Sequence, residues 1–386
     1  MTRRAGSLVM PRRRRAPGVV LVQVTIGLTV LGAGPLAGCR PQPPYAQGES
    51  RHAVDFHTHI GYGGAERAAE IFAAAGVDVA VNLVGRPAGP VLDAHLKEAA
   101  RFEATHPGLK LLVFSGVDWS LVDDPEFGAL AALNLRQAVA AGARGLKVFK
   151  SLGLGVRTAD RSLLKVDDPR LDPLWRAAGE LGVPVAIHTG DPLAFFEKPT
   201  ADNERYEELA AHPSWSFFGA DFPSLLELLA ARDRLVARHP ATTFVGVHVG
   251  GYPESLDAVA ASMRALSNLY VDVAARLPEI GRRDPERARA FFEEFQDRIV
   301  LGTDLEVGRH DVVLGAGGPD DHPTIADARR YYDLHWRYFE TRDRKMAHLT
   351  PIQGRWTIDA IGLSRPTLDK IYRTNARRLL HLDRPR

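Results

Sequence analysis

From residue 53 onward, short runs rich in β-branched residues alternate with Ala-, Leu- and Arg-containing segments of helical period. That alternation predicts repeated strand–helix units and a parallel sheet. Eight strands are expected: Ala53–His59, Val77–Val84, Lys110–Val117, Ala143–Lys150, Val183–Thr189, Thr242–Val249, Asn268–Ala274 and Arg298–Asp304. Helices are expected between them, at Ala65–Ala75, Val91–Thr105, Pro125–Ala141, Pro169–Leu181, Pro223–Arg238, Glu254–Leu266 and Pro285–Phe295. Two more, Ile325–Glu340 and Arg365–Leu380, follow the last strand. Eight such units predict an α/β fold of the closed (β/α)8 type, a TIM barrel. An open doubly wound sheet is the alternative, but no Gly-rich nucleotide turn follows the first strand.

The N-terminus has another pattern. A basic stretch ends at Arg15, an apolar stretch runs from Val19 to about Ala33, and small residues follow, as in an export signal. The apolar stretch is short for a membrane span. Leu36-Ala37-Gly38-Cys39 resembles the bacterial lipobox, which implies a diacylated cysteine with the chain cleaved before it. The expected organisation is a signal peptide over 1–39 with lipidation at Cys39, a Pro-, Gln- and Gly-rich tether over 40–52, and the barrel over 53–382. An uncleaved signal anchor, or ordinary cleavage beside a chance cysteine, are the alternatives. The lipobox reading implies an exported protein, anchored to the cell envelope at the outer membrane or periplasmic side. Arginine pairs near the start also fit twin-arginine export, although the pattern downstream of them departs from that signal.

Composition narrows the chemistry. A chain of 386 residues, 45% hydrophobic and 25% charged, can bury a large core and has no disorder signature. Its net charge of +2 hides an N-terminal concentration at Arg3, Arg4 and Arg12–Arg15, so nothing in the body points to nucleic acid. Cys39 is the only cysteine, which excludes an internal disulfide, a thiolate metal cluster and a cysteine nucleophile in the barrel.

In such a barrel the active site lies at the C-terminal strand ends. There the sequence has Asp55-Phe56-His57-Thr58-His59, with both histidines on one side by strand alternation, then Ile187-His188-Thr189, Val247-His248-Val249 and Gly302-Thr303-Asp304. Imidazole nitrogens and a carboxylate suit a borderline divalent ion such as zinc. A lone strand-end histidine is more often a satisfied polar residue; the joint pattern on four strands is what points to a metal. His52, His95, His106, His212, His239, His335, His348 and His381 fall on helices, flanks or loops, where solvated faces are the default. His310 and His322 lie in a long Gly-rich loop after the eighth strand, within reach of the mouth.

On these elements, together with Phe244-Val245-Gly246-Val247-His248, Ile299-Val300-Leu301-Gly302-Thr303-Asp304 and the closing Ile371–Leu380, the chain resembles the amidohydrolase superfamily over nearly all of residues 53–380. Within it, the chain is most similar to the amidohydrolase-related branch that includes aminocarboxymuconate semialdehyde decarboxylase. The resemblance implies one zinc held by His57, His59, His188 and Asp304, with His248 beside it as acid/base and oxyanion stabiliser. Gly145–Lys150 is similar to the strand of dihydropyrimidinase-like relatives in which a carboxylated lysine bridges two metals. Lys147 matches that lysine, and a substrate-binding cation is its other reading. A single metal is preferred, because a bridging carbamate requires a buried uncharged amine.

The expected reaction is hydrolysis of a C–N or C–O bond (amide, lactone or ester) in a small organic substrate. A metal acidifies water, Asp304 acts as general base and His248 steadies the oxyanion. Nonoxidative decarboxylation of an aromatic or unsaturated carboxylate is the alternative, and a non-catalytic binding lipoprotein the third. Asp191, Arg157 and Arg309 are candidates for shaping the substrate site. The aromatics of residues 191–222, namely Phe195, Phe196, Tyr206, Trp215, Phe217 and Phe218, either roof the pocket or form a satellite core. Self-association is left open.

Overall fold

The computed structural model describes residues 45, 46, 48–318 and 321–383. The export signal, Cys39 and residues 40–44 lie outside the described residues. Among the described residues, no helix is long and apolar enough to cross a membrane.

Eight parallel strands follow one another in chain order: β1 (Ala53–Ile60), β2 (Val77–Arg86), β3 (Lys110–Ser115), β4 (Leu146–Val148), β5 (Val185–Ile187), β6 (Phe244–Gly246), β7 (Leu269–Asp272) and β8 (Ile299–Val300). The ring closes where the chain leaving β8 runs beside β1. Phe56 N–H donates to Leu301 O at 2.9 Å, Asp304 N–H donates to His57 O at 2.8 Å, and Thr58 then pairs with Leu305. Leu305–Val307 (β9) continues this strand and turns back antiparallel through Val312–Leu314 (β10). This hairpin replaces the open loop expected after the eighth strand. Its sequence signal is two apolar triplets around a turn in which Gly308 N–H donates to Asp311 O.

Inward positions form the barrel's own core: Val54 and Phe56 of β1, Val79, Val81 and Leu83 of β2, Leu112 and Phe114 of β3, then Ala186, Val245 and Val300. The alternate positions, such as Ile187, Phe244 and Val271, pack outward with the surrounding helices. Two sets of apolar positions per strand are what a barrel buried on both faces demands. The end opposite the mouth is closed by the last helical stretch, whose Ala376, Leu379 and Leu380 join the inner core, while Asn375 donates to Gln296 O and Ile299 O, both at 2.7 Å.

The final part of the expected tether is anchored rather than free. Tyr45 is buried, donates to Asp369 at 2.6 Å and packs under the Arg365 guanidinium, and Arg51 forms a two-pronged pair with Glu340. An aromatic and an arginine inside a Pro- and Gln-rich stretch gave it this foothold. The helices match their sequence pattern closely, with Ala65–Ala75 and Ile325–Glu340 at the expected bounds.

Candidate active site

One extra residue in β1 aims the site. Asp55 pairs with Ala80 and Thr58 with Asn82, so three steps along β1 answer two along β2. Simple alternation would put His57 and His59 on the face opposite Val54 and Phe56. The bulge lets all four look inward while Asp55 turns outward. There Asp55 accepts from Thr303 and Tyr332 hydroxyls, both at 2.6 Å, and ties β1 to β8 and to helix Ile325–Glu340. Burial raises its pKa to about 6 in spite of these donors.

His57 Nε2 and His59 Nε2 lie 3.1 and 3.2 Å from the same Asp304 oxygen, so the three residues present their ligand atoms to one point. Gly302 allows this approach, since a side chain there would collide with His57 Cβ at 2.9 Å. His188 stands across the mouth, its ring 4.4 Å from that of His248, and His248 is 5.0 Å from His57. The five residues expected from the sequence therefore converge, but His188 is farther from Asp304 than the β1 pair and its Nε2 faces Asp191 Oδ1 at 3.4 Å.

Asp272, at the end of β7, holds this arrangement and was missed by the sequence reading. One oxygen accepts from His57 Nδ1 at 2.7 Å; the other accepts the backbone N–H of His248 at 2.6 Å and of Ala274 at 3.2 Å. The signal was present: Asp272 is a lone acid in an otherwise apolar strand, on the same inward parity as Tyr270. Its support is needed because His248 and Val249 both adopt left-handed backbone angles (φ 59° and 56°), as do Ala275 (φ 53°) and Asp304 (φ 62°). Such conformations cost about 1–3 kcal/mol each and cluster where a site requires them.

Electrostatics divide the groups. Burial and the nearby Lys147 charge pull His57 down, but Asp304 and Asp272 outweigh them and raise its pKa. Burial pushes Asp304 up, yet His57 and His59 hold it well below the carboxylate range. Burial lowers His59, lowers His188 to about 4, and with the His188 and Arg276 charges drives His248 far down. His248 Nδ1 lies 2.9 Å from Ala274 O, an atom that only accepts, so Nδ1 carries the proton and Nε2 is an acceptor. In that tautomer a neutral His248 presents an acceptor to the mouth, the base side of the acid/base role expected for it.

Lys147 is buried one layer below His188, in register with Ala186 on the neighbouring strand, its Nζ 5.1 Å from the centre of the Phe149 ring. Burial lowers its pKa to about 8, with Asp304 and Asp272 opposing. Lys150 is salt-bridged to Asp191, and its Nζ sits over Trp215 at 4.9 Å and Phe217 at 5.7 Å. The loop aromatics pair as Phe195 with Trp215 and Phe196 with Phe217, a satellite core around that ion pair, whereas Phe218 and Tyr206 are exposed. Arg157, Arg309, His310 and His322 are exposed on the surface. His239 and His335 depart from the expected solvated faces: both are buried, held by Asp172 and by Tyr331 O.

The donor set fits a divalent ion. His57 Nε2 and His188 Nε2 are sealed from solvent and make no well-aligned hydrogen bond, their polar neighbours being carboxylate oxygens of Asp304 at 3.1 Å and Asp191 at 3.4 Å, a setting that an ion between them would complete. Two imidazole nitrogens and a carboxylate oxygen at one point, with no thiolate, match zinc and similar borderline ions.

The sequence model of the amidohydrolase family matches residues 115–382, and the chain belongs to this family of metal-dependent enzymes. The matched stretch begins at the end of β3, so the β1 histidines precede it. No curated protein matches the chain in sequence. Among solved structures, an uncharacterized TIM-barrel protein from Bordetella bronchiseptica is 17% identical with a TM-score of 0.50, over 85% of this chain and 98% of that one. A putative amidohydrolase from Staphylococcus aureus is 14% identical with a TM-score of 0.48, over 85% and 99%. A 2,6-dihydroxybenzoate decarboxylase complexed with 2,6-dihydroxybenzoate is 16% identical with a TM-score of 0.47, over 85% and 99%. The likeness to the first of these, at 17% identity, is one of fold.

Proposed function

We propose that the chain is a hydrolase that adds water across a C–N or C–O bond (amide, lactone or ester) of a small organic substrate, with one zinc or similar ion held by His57, His59, His188 and Asp304. The observation that carries this reading is the convergence of His57, His59 and Asp304 on one point at the barrel mouth. A divalent ion in that place supplies Lewis acidity, polarising a carbonyl and acidifying water. The residues then divide the proton work. Asp304, kept ionised by His57 and His59, accepts the proton of the attacking water and passes it to the leaving group. His248 Nε2, an acceptor at the other side of the mouth, orients the water or substrate hydrogen it faces. Asp272 fixes the His57 tautomer that leaves Nε2 for the ion. Nonoxidative decarboxylation is the second reading; it needs a proton delivered to carbon, whereas Asp304 and His248 Nε2 both rest as acceptors.

The test is Asp304→Asn. It should retain much of the metal, because three histidines remain, yet lose roughly 100- to 10,000-fold in turnover. Substrates are sought among lactones, amides and aromatic or unsaturated carboxylates, with products weighed by mass spectrometry. Gain of water upholds the reading; loss of carbon dioxide replaces it with a lyase. Tight ligand binding indifferent to Asp304→Asn, with no turnover by the wild type, points to a binding protein.

A further inference from the structure

The proton work above leaves one buried cation at the mouth unused. Arg276 follows β7 and is only 7% exposed. Its guanidinium makes one hydrogen bond, from Nη1 to Ala275 O at 2.9 Å. That carbonyl, of a residue in a left-handed conformation, also accepts from Gln353 Nε2 at 3.0 Å. A guanidinium has five N–H donors, so most of this one has no acceptor among the described residues.

No carboxylate pairs with it either. The neighbouring Arg205 forms close ion pairs with Glu208 and Glu279, and no acid forms an ion pair with Arg276 among the described residues. Arg276 therefore has no acidic partner among the described residues, on the turn after β7 where Ala275 N–H donates to Thr303 O at 3.2 Å, one residue from Asp304. Its remaining nitrogens are not sealed from solvent, so they stay open to an anion that enters the mouth. The planar fork of a guanidinium matches a carboxylate in two-pronged fashion.

We propose that Arg276 is an anion subsite of the mouth and binds a substrate carboxylate, which makes the substrates small organic acids bearing the scissile bond. This rests on the mouth being the active site and deepens that reading. Lys147 and Lys150 do not fill the same role, since Lys147 lies a layer deeper and Lys150 is committed to Asp191.

Acetate, fumarate and benzoate, with benzamide as the uncharged control, are titrated calorimetrically into metal-loaded and metal-free protein. At least one acid should bind and benzamide should not. Arg276→Gln should weaken that acid by about 30-fold or more, the lower end of what losing one partner of a buried charge pair costs. Circular dichroism and metal content of the variant report whether it is folded. Should it fail to fold, Arg276→Lys carries the comparison, with a loss of about tenfold for the missing second hydrogen bond to a charged group. Arg276-dependent binding that survives metal removal upholds the subsite even if the metal reading fails. Binding that vanishes with the metal but ignores both Arg276 variants overturns the subsite and leaves the metal reading intact. Failure of all three acids to bind the wild type overturns it as well.

Discussion

His57 and Asp272 are joined by a 2.7 Å hydrogen bond between side chains that are both fully buried, although 215 residues separate them in sequence. The bond sets which imidazole nitrogen is protonated, and so which one can meet an ion. Asp272→Asn keeps the shape and can still accept from His248 N–H, but it presents an amide where His57 needs a carboxylate. Metal affinity should fall about 10- to 100-fold, as for other partners of ligating histidines. Competition with a chelator measures the loss, and nitrogen NMR of metal-free protein should show the His57 tautomer shift. Unchanged affinity and tautomer would reduce Asp272 to a support for the His248 backbone.

Lys147 decides between one metal and two. Its pKa of about 8 leaves it mostly charged at neutral pH, with Asp304 and Asp272 favouring the cation, and a charged amine does not add carbon dioxide. Wild type and Lys147→Met should therefore both carry about one ion per chain by elemental analysis. A fall from two ions to one in the variant would show a bridging carbamate.

His335 predicts an acid-sensitive step away from the active site. Burial lowers its pKa from 6.5 to about 4. Between those values the unfolded chain binds more protons than the folded one, so stability is full above pH 6.5 and is lost as the pH falls toward 4. The contribution is on the order of 3 kcal/mol. His335→Phe should flatten the dependence of the melting temperature on pH across that window. An equally steep profile in the variant would place the acid sensitivity elsewhere.

The barrel was legible because strands buried on both faces and helices buried on one leave distinct periods, as in Val185–Ile187 and Ile325–Glu340. The residues proposed as metal ligands were legible in the sequence because histidine and aspartate are conspicuous at apolar strand ends. Asp272 was not, since one acid in a strand has no meaning until His57 is seen opposite. Nor was the β1 bulge, because a single inserted residue leaves the run Ala53–Ile60 unbroken in sequence and changes only its pairing. The His248 tautomer depends on Ala274 O, a backbone atom that no side-chain pattern reports.

We propose that the lipid anchor expected at Cys39 also sets orientation. Tyr45 is fixed to Asp369 and Arg365 on the helical stretch that closes the barrel opposite the mouth. Five residues lie between Cys39 and Tyr45, and the six steps they make reach at most about 20 Å. An acylated Cys39 would thus hold the closed end near the bilayer and leave the mouth facing away. Fatty-acid labelling should mark the wild type and not Cys39→Ala, which should leave the membrane fraction. Because acylation consumes the only native thiol, single cysteines can then map exposure. Tyr62→Cys, at a 74% exposed position just past the C-terminal end of β1, should react with a bulky maleimide equally fast on vesicles and after detergent release. Lys370→Cys, near the closed end, should react faster only after release. Unlabelled, soluble wild-type protein would remove the anchor, and protection at position 62 would reverse the orientation.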